Sequence, residues 1–173
     1  GATGNQIIEK DLNLILTRKL EKELVSRGAT VYLTREDDKD LSTTTVNRKR
    51  SDLYNRAKYI NKISPNMYIS IHLNSVTNSS WRGLQVFYTT KSEENKLIAE
   101  TITNHLRKNM SNVREIKKDN TYYMYKHITS PGVLIEAGFI SNSNDSYLLR
   151  NKEYQDKLIS SISDSIEIYI QKK

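Results

Sequence analysis

Leucines at 12, 16, 20 and 24, with Ile15 beside them, recur every four residues between Glu9 and Val25 and predict an amphipathic helix. Gly28 follows where a helix C-terminal cap is expected. The run "ATVYLTR" (29–35) is β-branched and aromatic and reads as a short strand, and the polar stretch 36–45 reads as a loop. A second helix is expected over about 46–63, burying Leu53, Ala57 and Ile60 and ended by Pro65. "NMYISIH" (66–72) is nearly continuous in its apolar character, as strands buried on both faces are. "GLQVFYTT" (83–90) alternates and so predicts a strand with one more exposed face. A third helix spans about 93–110, with Leu97, Ile98, Thr101, Ile102 and Leu106 inward, and 111–120 reads as loop. "TYYMYKHI" (121–128) is ambiguous between strand and turn. "GVLIEAGF" (132–139) is a compact buried strand carrying a carboxylate, and a last helix runs from about 152 to 170 through Tyr154, Leu158, Ile162, Ile166 and Ile170.

Strands alternating with amphipathic helices predict a single α/β domain, its twisted, mixed and mostly parallel sheet covered by helices on both faces. The length of 173 residues suits one such domain, and neither an internal repeat nor a low-complexity linker divides it. No apolar run approaches the roughly 20 residues that cross a bilayer, so a soluble chain without a transmembrane segment is expected. The opening Gly1-Ala2-Thr3-Gly4 has no charged leader region, which suits a mature or trimmed form. A net charge of +7 points to an anionic partner: nucleic acid, a membrane surface or an acidic wall polymer. The densest basic cluster, Arg48-Lys49-Arg50 with Arg56 and Lys58, reads first as a solvated helix face. With no cysteine, disulfides and thiol chemistry are excluded, and any metal site must draw on Asp, Glu and the three histidines.

In open α/β sheets a ligand sits outside the carboxyl ends of the strands. Two strands here end in groups able to hold or activate something, His72 and Glu136. Glu9 starts the first helix, where the macrodipole favours a carboxylate, so its ordinary reading is structural. A lone strand-end histidine is also more often structural. Glu136, between "VLI" and "AGF", is harder to explain that way, because a buried charge needs a cation or metal beside it. Together the three residue types match the equipment of a zinc hydrolase. Such a site has three N or O ligands, one open position for water, and a free carboxylate to move the proton. The spacing alone is weak evidence.

The ordered motifs "GATG", "EKDLNL", "TR" (34–35), "SIHLN" (70–74), "GLQVFY" (83–88) and "IEAGFISN" (135–142) resemble the zinc-dependent N-acetylmuramoyl-L-alanine amidases over nearly the whole chain. These are peptidoglycan hydrolases, which cut between the lactyl group of muramic acid and L-alanine. "NRAKYINK" and "SSWRGLQVFY" are most similar to the spore-cortex, germination-specific branch. The resemblance implies a zinc-exopeptidase-like (phosphorylase/hydrolase-like) fold and a Zn2+ cofactor held by Glu9 and His72, with Glu136 as the catalytic carboxylate. Asn74 and Arg35 fall near the cleft without an assigned role. The family begins with a strand and a "DPGHGG"-type loop whose histidine is the remaining ligand. Residues 1–173 look like the catalytic domain without that strand and loop, and an upstream segment carrying the histidine is expected. His105 on the third helix and His127 before "ITSPGVLIE" are poor substitutes.

The resemblance further implies peptidoglycan as the partner, a protein activator, and action outside the cytoplasm in the wall or spore cortex after an upstream signal segment is removed. The alternative is a catalytically defective or partner-dependent wall-binding protein on the same fold. Nucleic-acid binding ranks low: no helix-turn-helix, finger or RNP-like pattern accompanies the charge, and the 11 tyrosines form no stacking row.

Overall fold

The computed structural model describes residues 1–172. A short hairpin opens it, β1 (Thr3–Gly4) pairing antiparallel with β2 (Ile7–Ile8) through Asn5 and Gln6, both at positive φ. Chain order continues with α1 (Glu9–Ser26), α2 (Arg48–Ile63), β3 (Tyr68–Asn74), β4 (Gln85–Tyr88) and α3 (Glu93–Asn109). It ends with β5 (Lys117–Lys118), α4 (Tyr123–His127), β6 (Gly132–Phe139), α5 (Ser143–Arg150) and α6 (Lys152–Gln171). The main sheet has the order β3-β6-β4-β5; β3–β6 and β4–β5 are parallel and β4–β6 antiparallel. The α/β reading with a mixed sheet therefore holds.

The two sheet faces are covered unequally. Leu12, Leu16 and Leu20 of α1, Ile98, Ile102 and Leu106 of α3, and Leu158, Ile162 and Ile166 of α6 pack on Ile71, Leu73, Val86, Val133, Ile135 and Ala137. The other face is smaller: Ala57 and Ile60 of α2 and Met124 and Tyr125 of α4 cover Tyr68, Phe87 and Leu134. Because side chains alternate along a strand, this second face also carries His72, Glu136 and Gln85 at its upper end.

Several expectations are corrected. Residues 29–35 form no strand: a strand exists only through a ladder, and no described residue pairs with this segment. The stretch 121–128 contains the one-turn helix α4, and the 111–120 loop contains the two-residue β5. Leu97 and Ile170 point outward, at 49% and 55% exposure, on the solvent sides of α3 and α6. α2 starts at Arg48, because Asn47 is left-handed. Gly28 behaves as expected, at φ +88° with its N–H donating to Val25 O.

α5 was not anticipated. It is seeded by Asn142, whose side-chain oxygen accepts from the N–H groups of Asn144 and Asp145. Asp145, 6% exposed, then accepts with Oδ2 from Gly83 N (2.7 Å) and Phe139 N (2.9 Å). That one carboxylate joins α5, the end of β6 and the entry to β4. Gly83 must be glycine here: its φ is +98°, and a Cβ would meet Asn112 O at 2.1 Å. Replacing Asp145 with alanine strands two buried N–H groups and should lower stability by about 2–4 kcal/mol, read as a reduced urea midpoint with an unchanged slope.

Candidate active site

Glu9 is the first residue of α1, entered directly from the hairpin, and its N–H donates to Ala2 O at 2.9 Å. Its Oε2 accepts from Ala2 N at 2.7 Å. Its Oε1 lies 3.1 Å from His72 Nδ1 and accepts weakly from Leu73 N at 3.4 Å. Burial raises this carboxyl, but hydrogen bonds from His72, Ala2 and Leu73 together with the imidazole's charge outweigh it and hold the group at about 2. Glu9 is therefore a carboxylate at any physiological pH. His72 is half-buried; its Nε2 is 3.1 Å from Ser70 Oγ, so one ring nitrogen faces the start of α1 and the other a neighbour on its own strand.

Parallel register places Glu136 directly beside His72, and antiparallel register places Gln85 on its other flank. Glu136 is 6% exposed, and its Oε2 is buried without a hydrogen-bond partner. Burial, followed by the opposing influence of His72 and the repulsion of Glu9, leaves its carboxyl raised to about 7. Tyr122 stands beside the cleft, edge-on to Phe87 and Tyr125, its hydroxyl pushed up to about 12 by burial and then by the Glu136, Asp119 and Glu9 charges. A concavity of about 160 Å3 lined by Tyr68, Lys91, Asn95 and Ile128 opens at the other end of β6 and contains none of the three ionisable site residues.

The structure thus brings together the three residues expected from the sequence. Glu9 and His72 are hard-oxygen and imidazole donors of the kind zinc takes, converging within hydrogen-bonding distance, with an orphaned carboxylate oxygen on the next strand. They fit two positions of a zinc site. Among the described residues no group of three His, Cys, Asp or Glu is placed to hold a metal ion, so no third ligand completes it. His105 is on the opposite layer, with Nε2 3.1 Å from Asn109 Nδ2 and 3.5 Å from Asp164 Oδ2. His127 packs on Tyr54 and Tyr123. Arg35 is a loop fastener, donating to the carbonyls of Asp37 and Lys10, and the Asn74 carbonyl accepts from Ile140 N. Gln85 was missed in the sequence; only the β4–β6 pairing reveals its place.

The profile of the family described as N-acetylmuramoyl-L-alanine amidase matches residues 1–168. This chain belongs to that family. It is 40% identical over 178 residues to the germination-specific N-acetylmuramoyl-L-alanine amidase of Bacillus subtilis, covering all of this chain and 75% of that one. Among solved structures it is similar to the CwlD amidase of Clostridioides difficile in complex with the GerS lipoprotein: TM-score 0.94, 35% identity, covering 100% of this chain and 92% of that one. The catalytic domain of the amidase CwlV from Paenibacillus polymyxa follows with TM-score 0.86 and 28% identity, covering 100% and 92%.

The raised Glu136 carboxyl makes a prediction for the metal-free amidase fold. Between the ordinary glutamate value of 4.5 and about 7, the folded state holds a proton that the unfolded state has lost, so stability falls as pH rises through this window. In chelator-treated protein, Glu136→Gln should therefore raise the melting temperature at pH 8 and leave it nearly unchanged at pH 4. Equal melting shifts at both pH values would mean that Glu136 is not buried as a charge.

Proposed function

We propose that this chain is a zinc-dependent N-acetylmuramoyl-L-alanine amidase that hydrolyses peptidoglycan between N-acetylmuramic acid and L-alanine in the spore cortex or wall. The observation that carries the reading is the convergence of Glu9, His72 and the unpartnered Glu136 at one end of a sheet face. Family membership supplies the bond that is cut.

Glu9 and His72 would hold the metal, which when bound supplies a Lewis acid for the scissile carbonyl. Glu136, dry and free of hydrogen-bond donors on Oε2, takes the proton from the attacking water and delivers it to the leaving amide nitrogen. The cut leaves a free amino group on L-alanine and a carboxylate on the lactyl group. Gln85, its Nε2 already donating to Glu115 O at 3.0 Å, fixes the flank of the cleft.

Action outside the cytoplasm follows from this substrate, and no helix among the described residues is long and apolar enough to cross a membrane. A protein partner is supported by the Clostridioides difficile relative, which was solved with GerS lipoprotein. The alternative reading is a partner-dependent or wall-binding protein on the same fold, which the lipoprotein complex of that relative supports.

Amidase assays on purified peptidoglycan, scored as new alanine amino termini, separate the two. Glu136→Ala should lose about 10²-fold or more of the activity while keeping its zinc, as measured by elemental analysis. Glu9→Ala and His72→Ala should lose the zinc itself. Unchanged hydrolysis in Glu136→Ala would sink the mechanism, and a wild-type protein without zinc or turnover would favour the binding reading.

A further inference from the structure

Beyond Glu136 the catalytic sheet face continues into a wall that the mechanism does not use. In the β3–β6 ladder Asn74 pairs with Phe139, after a bulge that follows the His72–Glu136 pair. His72 and Asn74 are two residues apart and so share a face, which puts Phe139 on the same face as Glu136, one pleat or about 7 Å further along. Phe139 is buried at 1% exposure and supports Trp81, whose ring centroid is 6.4 Å away and tilted by 50°. Trp81 is 47% exposed, so a broad part of its indole faces solvent at the rim of the cleft. Arg114 closes the stack, its Cζ 4.5 Å from the Trp81 centroid and 5.8 Å from that of Phe139.

The wall is held from several sides. Trp81 N donates to Asn78 O at 3.3 Å, Asn142 Nδ2 donates to Ser79 O at 2.7 Å, and the adjoining Gly83 is fixed by Asp145. Arg114 N donates to Leu84 O at 2.8 Å, and its guanidinium donates to Arg82 O at 3.4 Å. An exposed indole costs free energy in water, and a merely structural latch would be expected to bury it. This ring is instead immobilised in an exposed position, so a ligand meeting it would lose little further side-chain entropy on binding.

We propose that Trp81 is a saccharide platform, on which one N-acetylhexosamine ring of the glycan strand stacks with its C–H face against the exposed indole. The inference rests on the amidase reading for the identity of the substrate. It names the side of the cleft that takes the glycan and leaves the Tyr122 side for the peptide. The chemistry fits: a pyranose presents a flat apolar C–H face with polar groups at its edge, and an indole offers a complementary flat apolar surface. The charge pattern fits as well, since the Tyr122 side continues into α2, where Arg50 lies 4.8 Å over Tyr123 and offers a cation to a peptide carboxylate.

The chain contains one tryptophan, so its emission reports on this wall alone. A peptide-free oligomer of alternating N-acetylglucosamine and N-acetylmuramic acid, which contains no bond for the amidase to cut, is titrated into wild-type protein. A saturable change in tryptophan emission is expected, with no change from a stem peptide free of sugar. By calorimetry, Trp81→Ala should bind the oligomer about tenfold more weakly, and Trp81→Phe should recover most of that loss. On a soluble disaccharide-peptide the Trp81→Ala loss should fall on KM more than on kcat. Emission that ignores the glycan, or responds only to the peptide, overturns the proposal; the first outcome makes the stack a loop latch and the second makes it a peptide wall. Glycan-dependent emission in a protein that does not hydrolyse peptidoglycan would leave the platform standing and bring down the amidase reading instead.

Discussion

The pairing of β3 with β6 is the constraint on which the site depends. All eight residues of β6 are buried, and its register with β3 is fixed from Tyr68–Gly132 to His72–Glu136. A slip by one residue would turn Leu134 and Glu136 onto the face of α1, α3 and α6 and bring Val133 and Ile135 to the cleft. A carboxylate on the larger hydrophobic face would have no polar neighbour, so the core that stabilises the fold also selects the register that aims the site. The same ladder carries Phe139 past the bulge to the cleft face.

Work is divided between the two sheet faces. The α1, α3 and α6 side holds most of the fully buried aliphatic residues, including Leu16, Ile98, Ile102, Leu106, Leu158 and Ile162. The α2 and α4 side is thinner and ends before the carboxyl end of β6, so the upper row of His72, Glu136 and Gln85 is left only partly covered. Two aromatic groups flank this row, Tyr122 with Phe87 and Tyr125 on one side and Trp81 with Phe139 on the other. α4 has five residues and is anchored chiefly by its rings, with Tyr125 stacked on Tyr68 at 5.7 Å and 15°. A shell built of packed aromatics can flank an open cleft without filling it.

Periodicity made the long elements legible. The leucine spacing of α1, the isoleucine spacing of α6 and the dense apolar run of β6 each report burial on one or both faces, and burial is what composition encodes. Segment 29–35 was misread for the complementary reason: its β-branched residues suit a strand, but strand formation depends on a partner, which lies outside the segment. α4 and β5 are too short for any period to register. Glu9, His72 and Glu136 could be picked out because the ordered motifs matched a family; of the three, only Glu136, a carboxylate inside an apolar run, was hard to explain structurally on its own. Their convergence could not, since it comes from a contact across 63 residues of chain and a ladder across 64. Gln85 and the Trp81–Arg114 stack belong to the same class of long-range facts.

The buried Glu136 shows how the site draws on the fold that supports it. With Oε2 lacking a donor, ionising this group in the folded state costs free energy that an exposed glutamate would not incur. Satisfying it with a backbone N–H or a nearby arginine would stabilise the protein and pull the carboxyl back toward ordinary acidity. That would make it a weaker base at neutral pH. Arginines near the cleft are engaged elsewhere: Arg114 over Trp81, and Arg35 on the carbonyls of Lys10 and Asp37. The chain is strongly basic, so the withdrawal of cationic side chains from Glu136 cannot be explained by scarcity. The opposing influence that does reach Glu136 comes from His72, its neighbour across the ladder, and it falls short of the cost of burial.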